Sequence, residues 1–263
     1  MRLSISHETV YRYDNVVKRS TQYLRLTPHS SQRQRVLDWS LELPAFAMKS
    51  VDPYGNILHV MTLDYPHQEI RIRAHGTVET EEEGEGMFDR IPPLLFLRQT
   101  ELTMPNQPLR DFADQHRRSR PSREQLEGLM HAIAEHLPYR PGQTEVYMPA
   151  AKVFDLGCGV CQDHTHVFLS CCRYLGIPAR YVSGYIYAPD APGAEVASHA
   201  WAEAWLDERW DSFDISNRCS ANANHLKLAI GMDYLDACPV RGVRRGGGVE
   251  EMTATAWVRA GEQ

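Results

Sequence analysis

The feature that most restricts this chain is the period-two patterning of its first eighty residues. Leu3 and Ile5, Tyr11 and Tyr13, Leu24 and Leu26, then Leu37, Trp39, Leu41 and Leu43 place apolar groups two apart, and the last set alternates strictly with Asp38, Ser40 and Glu42. Successive side chains of a strand point to opposite faces, so this spacing builds sheets with one dry face and one wet face. Turn residues at Thr27-Pro28-His29-Ser30, Asp52-Pro53-Tyr54-Gly55-Asn56 and Tyr65-Pro66-His67 cut the pattern into short strands. The expectation is an N-terminal antiparallel β-sandwich over residues 1–85. The glutamate- and glycine-rich stretch from Glu79 to Gly86 reads as the linker that closes it.

Beyond the linker the period changes. Ser122-Arg-Glu-Gln125 is a capping-box pattern, and Leu126, Leu129, Met130, Ile133 and Leu137 follow on one helical face until Pro138. After Gly157 and Gly159, residues Val160, His164, Val167, Phe168, Cys171, Cys172 and Leu175 recur at intervals of three and four up to Gly176-Ile177-Pro178. A second helix therefore starts at or beside Cys161. Two β-rich segments come next, Ala179–Tyr187 and Ser198–Ile215. In the second, His199, Trp201, Glu203 and Trp205 share one face, and Ala200, Ala202, Ala204 and Leu206 share the other, where small side chains admit a closely packed helix. The fold class is therefore α+β, with residues 86–263 forming the second domain.

Composition removes several functional classes. With 43% apolar and 24% charged residues in 263, the chain is a folded protein and not a disordered one. Its 28 Lys and Arg against 34 Asp and Glu give a formal charge of −6, which provides no basic footprint for nucleic acid. No apolar run approaches the roughly 20 residues of a membrane helix. The first residues lack the apolar core of an export signal, so the expectation is a cytoplasmic location and reduced thiols. The sequence says nothing about oligomeric state.

Those thiols bear on the chemistry. A cysteine becomes a nucleophile when a helix N-terminus or a neighbouring imidazolium stabilises its thiolate, and Cys161 meets the first condition by position. His199, at a strand start after a loop of Pro, Gly and Ala, is placed to meet the second. If Asp207-Glu208 is a two-residue turn, Leu206 pairs with Arg209 and His199 lies opposite Ser216. Asp214 then falls on the face of His199 and diagonally adjacent to it, while Asp211 points to the other face and reads as a surface residue. The other readings of these residues are plainer. Cys158 and Cys161 form a C-x-x-C, but no second pair completes a zinc site and no preceding strand completes a redox motif. No metal and no cofactor are expected. Cys171, Cys172, Cys219 and Cys238 read as small buried hydrophobes, Asp163 and His164 as capping and packing groups, and Trp201 and Trp205 as either cleft wall or core.

The segments Gly159-Val-Cys-Gln-Asp-His-Thr-His166, Leu175-Gly-Ile-Pro-Ala-Arg-Tyr-Val-Ser-Gly-Tyr185, Ser198-His-Ala-Trp-Ala-Glu-Ala-Trp205 and Trp210-Asp-Ser-Phe-Asp-Ile-Ser-Asn217 together resemble the bacterial transglutaminase-like superfamily, whose core is similar to papain-like cysteine proteases. Tyr11-Arg-Tyr13, Leu24-Arg-Leu26, Asp52 through Asn56 and Pro66-His67 resemble the β-rich domain that precedes that core. Val240-Arg-Gly242 and Arg245-Gly-Gly-Gly248 resemble its C-terminal end. The resemblance implies Cys161 as nucleophile, His199 as base and Asp214 as orienting acid, acting on a peptide or protein amide. Animal transglutaminases place a tryptophan upstream of the cysteine to stabilise the oxyanion. This chain has none between Trp39 and Trp201, so hydrolysis is favoured over glutamine crosslinking. Tyr139 or Tyr147 is the available substitute, and a non-catalytic scaffold that keeps the fold is the competing class.

Overall fold

The computed structural model describes residues 1–82, 91–188 and 198–261. The first three expected strands are one: β1 runs from Arg2 to Leu24. Its first half lies between β5 (His67–Thr80) and β11 (Glu250–Ala260), and its second half between β4 (Ile57–Leu63) and β10 (Val240–Gly246). Register shifts between Arg12 and Val17 hand β1 from one pair of neighbours to the other. β2 (Gln34–Glu42) extends the sheet beside β5, and β3 (Ala47–Val51) beside β4, giving seven antiparallel strands curled around Tyr13, Leu24, Leu26, Met61, Leu63, Ile70 and Ile72.

Two details depart from the alternation rule. A bulge between Val36 and Asp38 shifts β2 against β5, and Leu37, expected inside, is 38% exposed. The strands β10 and β11, expected with the second domain, hydrogen-bond to β1 in the first sheet. The chain thus returns to its starting sheet, and a division at residue 85, which lies outside the described residues, separates sequence more cleanly than structure. The linker expected over Glu79–Gly86 is strand at its start, since Glu79 and Thr80 end β5.

The second layer holds α1 (Gln107–Asp114), α2 (Arg123–His136), α3 (Ala150–Leu156) and α4 (Cys161–Tyr174). The capping box predicted for α2 is formed by Ser122 and Gln125, and its apolar face is buried throughout. The helix α3 was not signalled by periodicity because seven residues give barely two turns. A four-stranded antiparallel sheet, in the order β8 (Arg209–Phe213), β7 (Ser198–Leu206), β6 (Ala179–Ile186), β9 (His225–Gly231), packs on α4 through Ala200, Ala202, Ala204 and Phe213. α5 (Tyr234–Ala237) leads to β10. Asp211 shares that helix-facing side with Phe213 and is buried between Arg123, at 3.2 Å, and Arg209, at 3.0 Å, rather than lying on the surface.

The other face of this sheet meets the N-terminal sheet. Leu226, Leu228 and Tyr185 pack on Leu3, Ile5, Val78 and Val258. Strand β9 is an edge strand, and an open edge is a liability that folds cover. Here two amides from the N-terminal domain do so. Gln34 accepts from Lys227 N–H and donates to its C=O, both at 2.8 Å, and Asn56 does the same to Ile230, both at 2.8 Å. No helix among the described residues is long and apolar enough to cross a membrane.

Candidate active site

Helix α4 begins at Cys161 because its first turn is built to begin there. Asp163, in that turn, accepts from Val160 N–H at 2.8 Å and from the Thr144 hydroxyl at 2.7 Å. Gly159 makes this possible, since a Cβ on it would sit 2.7 Å from that of Asp163. The unpaired N–H groups of the first turn and the helix dipole then surround Cys161. Burial pushes the Asp163 carboxyl up, against the hydrogen bonds from Thr144 and Val160.

The strand side of the site follows from the β7–β8 turn. Asp207 and Glu208 both take positive φ, 44° and 64°, the pairing of a two-residue hairpin turn. Leu206 faces Arg209 and Ala202 faces Phe213, which is the register expected. Asp214 therefore reaches His199: its Oδ2 accepts from His199 Nε2 at 2.7 Å. With Nε2 committed to Asp214, the Nδ1 side of the ring is left for Cys161, which lies near enough to raise the imidazole. The structure thus brings Cys161, His199 and Asp214 together. Burial disfavours a charged His199, but the hydrogen bonds and charges of Asp214 and Cys161 overcome it and push the imidazole up to about 10. Burial would likewise raise Asp214, and its hydrogen bonds to His199, His225 and Asn217 hold it far below the usual carboxylate range.

Two partners of Asp214 carried no signal in the sequence. His225 Nε2 donates to the same Oδ2 at 2.9 Å, and Asn217 Nδ2 donates to it at 2.7 Å. The Nδ1 atom of His225 lies 3.1 Å from both the backbone N–H and the side-chain Oδ1 of Asn222. Three donors on one buried oxygen keep the carboxylate ionised and aimed. His199, Asp214 and His225 also bring three metal-capable atoms within 4.8 Å of one another. The spacings of 2.7 and 2.9 Å are those of hydrogen bonds. A tetrahedral zinc with ligands at about 2.0–2.2 Å would hold them roughly 3.3 Å apart.

The remaining sequence candidates sort themselves. Tyr139 bridges through its backbone to Gly159, two residues before Cys161; burial first, then Cys161, Asp163 and Asp214, push its hydroxyl up. Tyr147 is 70% exposed. His164 spends both nitrogens on structure, on Leu137 C=O at 2.8 Å and Ser216 Oγ at 2.9 Å. Cys158, Cys171, Cys172 and Cys238 are buried, Cys219 is half-buried beside Asp214, and all six thiols are unpaired. The loop of Pro, Gly and Ala before His199, residues 188–197, falls outside the described residues apart from Ala188.

Comparison with known proteins agrees with this architecture. Residues 3–79 match the bacterial transglutaminase-like N-terminal region, and residues 110–215 match the transglutaminase-like superfamily core. An uncharacterized protein of Mycobacterium tuberculosis is 30% identical over 273 residues, covering 92% of this chain and 87% of its own. The chain belongs to the bacterial transglutaminase-like superfamily. An uncharacterized protein of Mycobacterium leprae is 28% identical over 270 residues, covering 95% of this chain and 96% of its own. The same two-domain fold occurs in a solved structure described as a proposed cysteine protease from Cytophaga hutchinsonii, with a TM-score of 0.81 and 20% identity, covering 100% of this chain and 91% of that one. The transglutaminase-like fold is one that supports thiol-dependent acyl transfer.

Proposed function

We propose that this protein is a thiol-dependent amidase or peptidase that works through Cys161, His199 and Asp214. The observation that carries the reading is His199, which is raised by the nearby Cys161 and is hydrogen-bonded to a buried, triply held carboxylate. In that arrangement the Cys161 thiol gives its proton to His199 Nδ1, and the resulting imidazolium is stabilised by Asp214. The thiolate attacks the substrate carbonyl, forming a C–S bond. The Cys161 N–H at the helix start donates to the developing oxyanion, and Tyr139 is the side chain proposed to assist it. Collapse breaks the C–N bond, and the proton on His199 leaves with the amine. A water molecule, deprotonated by His199, then attacks the thioester, releases the carboxylic acid and returns the proton to sulfur.

Water is the acceptor we favour because no tryptophan precedes the cysteine in the way that crosslinking enzymes arrange one. The unpaired state of all six cysteines supports a reducing, cytoplasmic setting. The test is mass spectrometry of the protein after exposure to a cysteine-directed electrophile and to a panel of peptides. A Cys161 adduct at neutral pH with new peptide amines supports hydrolysis. Ammonia release with amine incorporation into glutamine selects crosslinking instead, and an inert Cys161 returns the scaffold class.

A further inference from the structure

Strand β9 lies at the edge of the sheet that carries His199, and a bulge decides which of its side chains face the triad. Gly184 of β6 pairs with both His199 and Lys227, and Val182 pairs with both Trp201 and Ile230, while the register of β9 shifts between these positions with Leu228 as the extra residue. Residues directly opposite in a sheet share a face, so Lys227 and Ile230 both lie on the face of His199 and Trp201. His225, two residues before Lys227, joins them there. Gly184 admits the close packing, since a Cβ on it would lie 2.7 Å from the Trp201 ring. Trp201 in turn stands edge-on to the His225 ring, with centroids 5.3 Å apart.

On that face His225 is the sheet-anchored support of Asp214. Asn217, the other side chain that bonds Oδ2 alongside His199, is exposed and lies three residues along the same turn. It constrains the carboxylate only within that turn, and water competes for it. His225 reaches the same oxygen at 2.9 Å from a different strand, with 2% of its side chain exposed.

The segment that carries His225 is held from the N-terminal domain on both sides. Before it, Arg33 donates to Ala221 C=O and the Thr80 hydroxyl donates to Ala223 C=O. After it, Gln34 bonds both the N–H and the C=O of Lys227 at 2.8 Å. Asn222, which meets His225 Nδ1, sits between the two held carbonyls. Gln34 and Thr80 face each other across β2 and β5, and Arg33 precedes Gln34, so one rung of the N-terminal sheet supplies all of these bonds.

We propose that the N-terminal domain is a working part of the active site: through Arg33, Gln34 and Thr80 it holds residues 221–227, fixes His225 as a positioning residue against Asp214, and so keeps that carboxylate aimed at His199. This role rests on the chemistry proposed above for Cys161, His199 and Asp214. His225 touches no substrate in it and transfers no proton. If the clamp is loosened, Asp214 is left to the Asn217 turn, the imidazolium loses its stabilising partner, and the Cys161 thiolate becomes less populated.

The test is the rate of Cys161 alkylation by iodoacetamide at pH 7 on the full chain, with thermal melts to report the fold of each variant. His225→Phe keeps a ring and removes the donor, whereas His225→Gln keeps a donor of similar reach. His225→Phe should react about 5- to 10-fold more slowly than wild type, the order of one hydrogen bond to a charged group, and His225→Gln within about twofold of wild type. Gln34→Met, in the other domain, should be about threefold slower, and Gln34→Met/His225→Phe no slower than His225→Phe alone, because the clamp acts through the imidazole. Thr80→Val removes one hydroxyl at nearly constant volume and repeats the Gln34 arm with a milder change. Wild-type rates in both Gln34→Met and Thr80→Val overturn the domain coupling, and losses that multiply in the double variant overturn the route through His225. His225→Gln as slow as His225→Phe shows a ring that only fills space and overturns the positioning role. An unreactive Cys161 in the wild type overturns the chemistry proposed for the triad as well, and is thereby told apart from these.

Discussion

Replacing Asp214 separates its geometry from its charge. Asp214 is fully buried, and its Oδ2 accepts from His199, His225 and Asn217 while its Oδ1 accepts from Asn217 N–H at 3.1 Å. In Asp214→Asn the amide oxygen takes the Oδ2 position and keeps those three donors. The NH₂ group then faces Asn217 N–H, an exposed turn that water can satisfy, so the fold should lose only about 1 kcal/mol. What disappears is the charge behind His199. A charged hydrogen bond contributes about 1.5–3 kcal/mol and a neutral one about 0.5–1.5, so the imidazolium loses about 1–2 kcal/mol. At about 1.4 kcal/mol per tenfold, the thiolate–imidazolium pair becomes roughly 5- to 30-fold less populated. In Asp214→Ala two buried imidazole N–H groups also lose their acceptor, at about 1–3 kcal/mol each, so that variant should both react more slowly and melt earlier. The assay is the rate of Cys161 alkylation by iodoacetamide at pH 7, read by peptide mass mapping alongside thermal melts. Wild-type alkylation in Asp214→Asn, or faster alkylation in Asp214→Ala than in Asp214→Asn, would refute the reasoning.

Other outcomes follow from the same contacts. Cys161→Ala should abolish amide hydrolysis and leave the melting temperature nearly unchanged, whereas Cys158→Ala, at a buried structural thiol, should retain most activity; equal loss in both would return attention to the C-x-x-C pair. His199 is raised by its partners to about 10, so its proton is available to the leaving amine at neutral pH and is lost as pH climbs through that value; hydrolysis rates should fall on an alkaline limb near pH 10, and a fall centred near 6.5 would mean that Asp214 and Cys161 do not hold the imidazolium. The same sign applies to stability: the contribution of His199 is fully present below its ordinary value of 6.5 and disappears as pH rises through about 10, which melts between pH 7 and 11 can follow in wild type and in His199→Gln. Asn56→Ala uncovers the β9 edge by removing both bonds to Ile230 and should cost about 2–4 kcal/mol in denaturant unfolding, and an unchanged midpoint would show that the amide does not secure the two domains.

How much of this was legible beforehand depends on the range of the interaction. The α2 and α4 helices, the Asp207-Glu208 turn and the Cys161, His199 and Asp214 constellation could be read from sequence because each rests on local rules: a capping box, a glycine before a periodic face, a two-residue turn that fixes register over a dozen residues. A strand register, once set by its turn, places every side chain on a known face, so Asp214 could be aligned with His199 from spacing alone. The same reasoning failed at Leu37, because a single-residue bulge reverses the faces that follow, and at Asp211, because whether that carboxylate is covered depends on Arg123, in a helix far away in sequence.

The rest was decided only by the tertiary structure. That β10 and β11 return to β1, that Gln34 and Asn56 close the edge of β9, and that His225 and Asn217 complete the shell around Asp214 are all contacts between segments of unrelated local pattern. Hydrogen-bonding and burial energies act over a few ångströms in space and carry no signature of sequence distance. A histidine that holds the buried Asp214 carboxylate is therefore written in the chain no differently from one that fills a core.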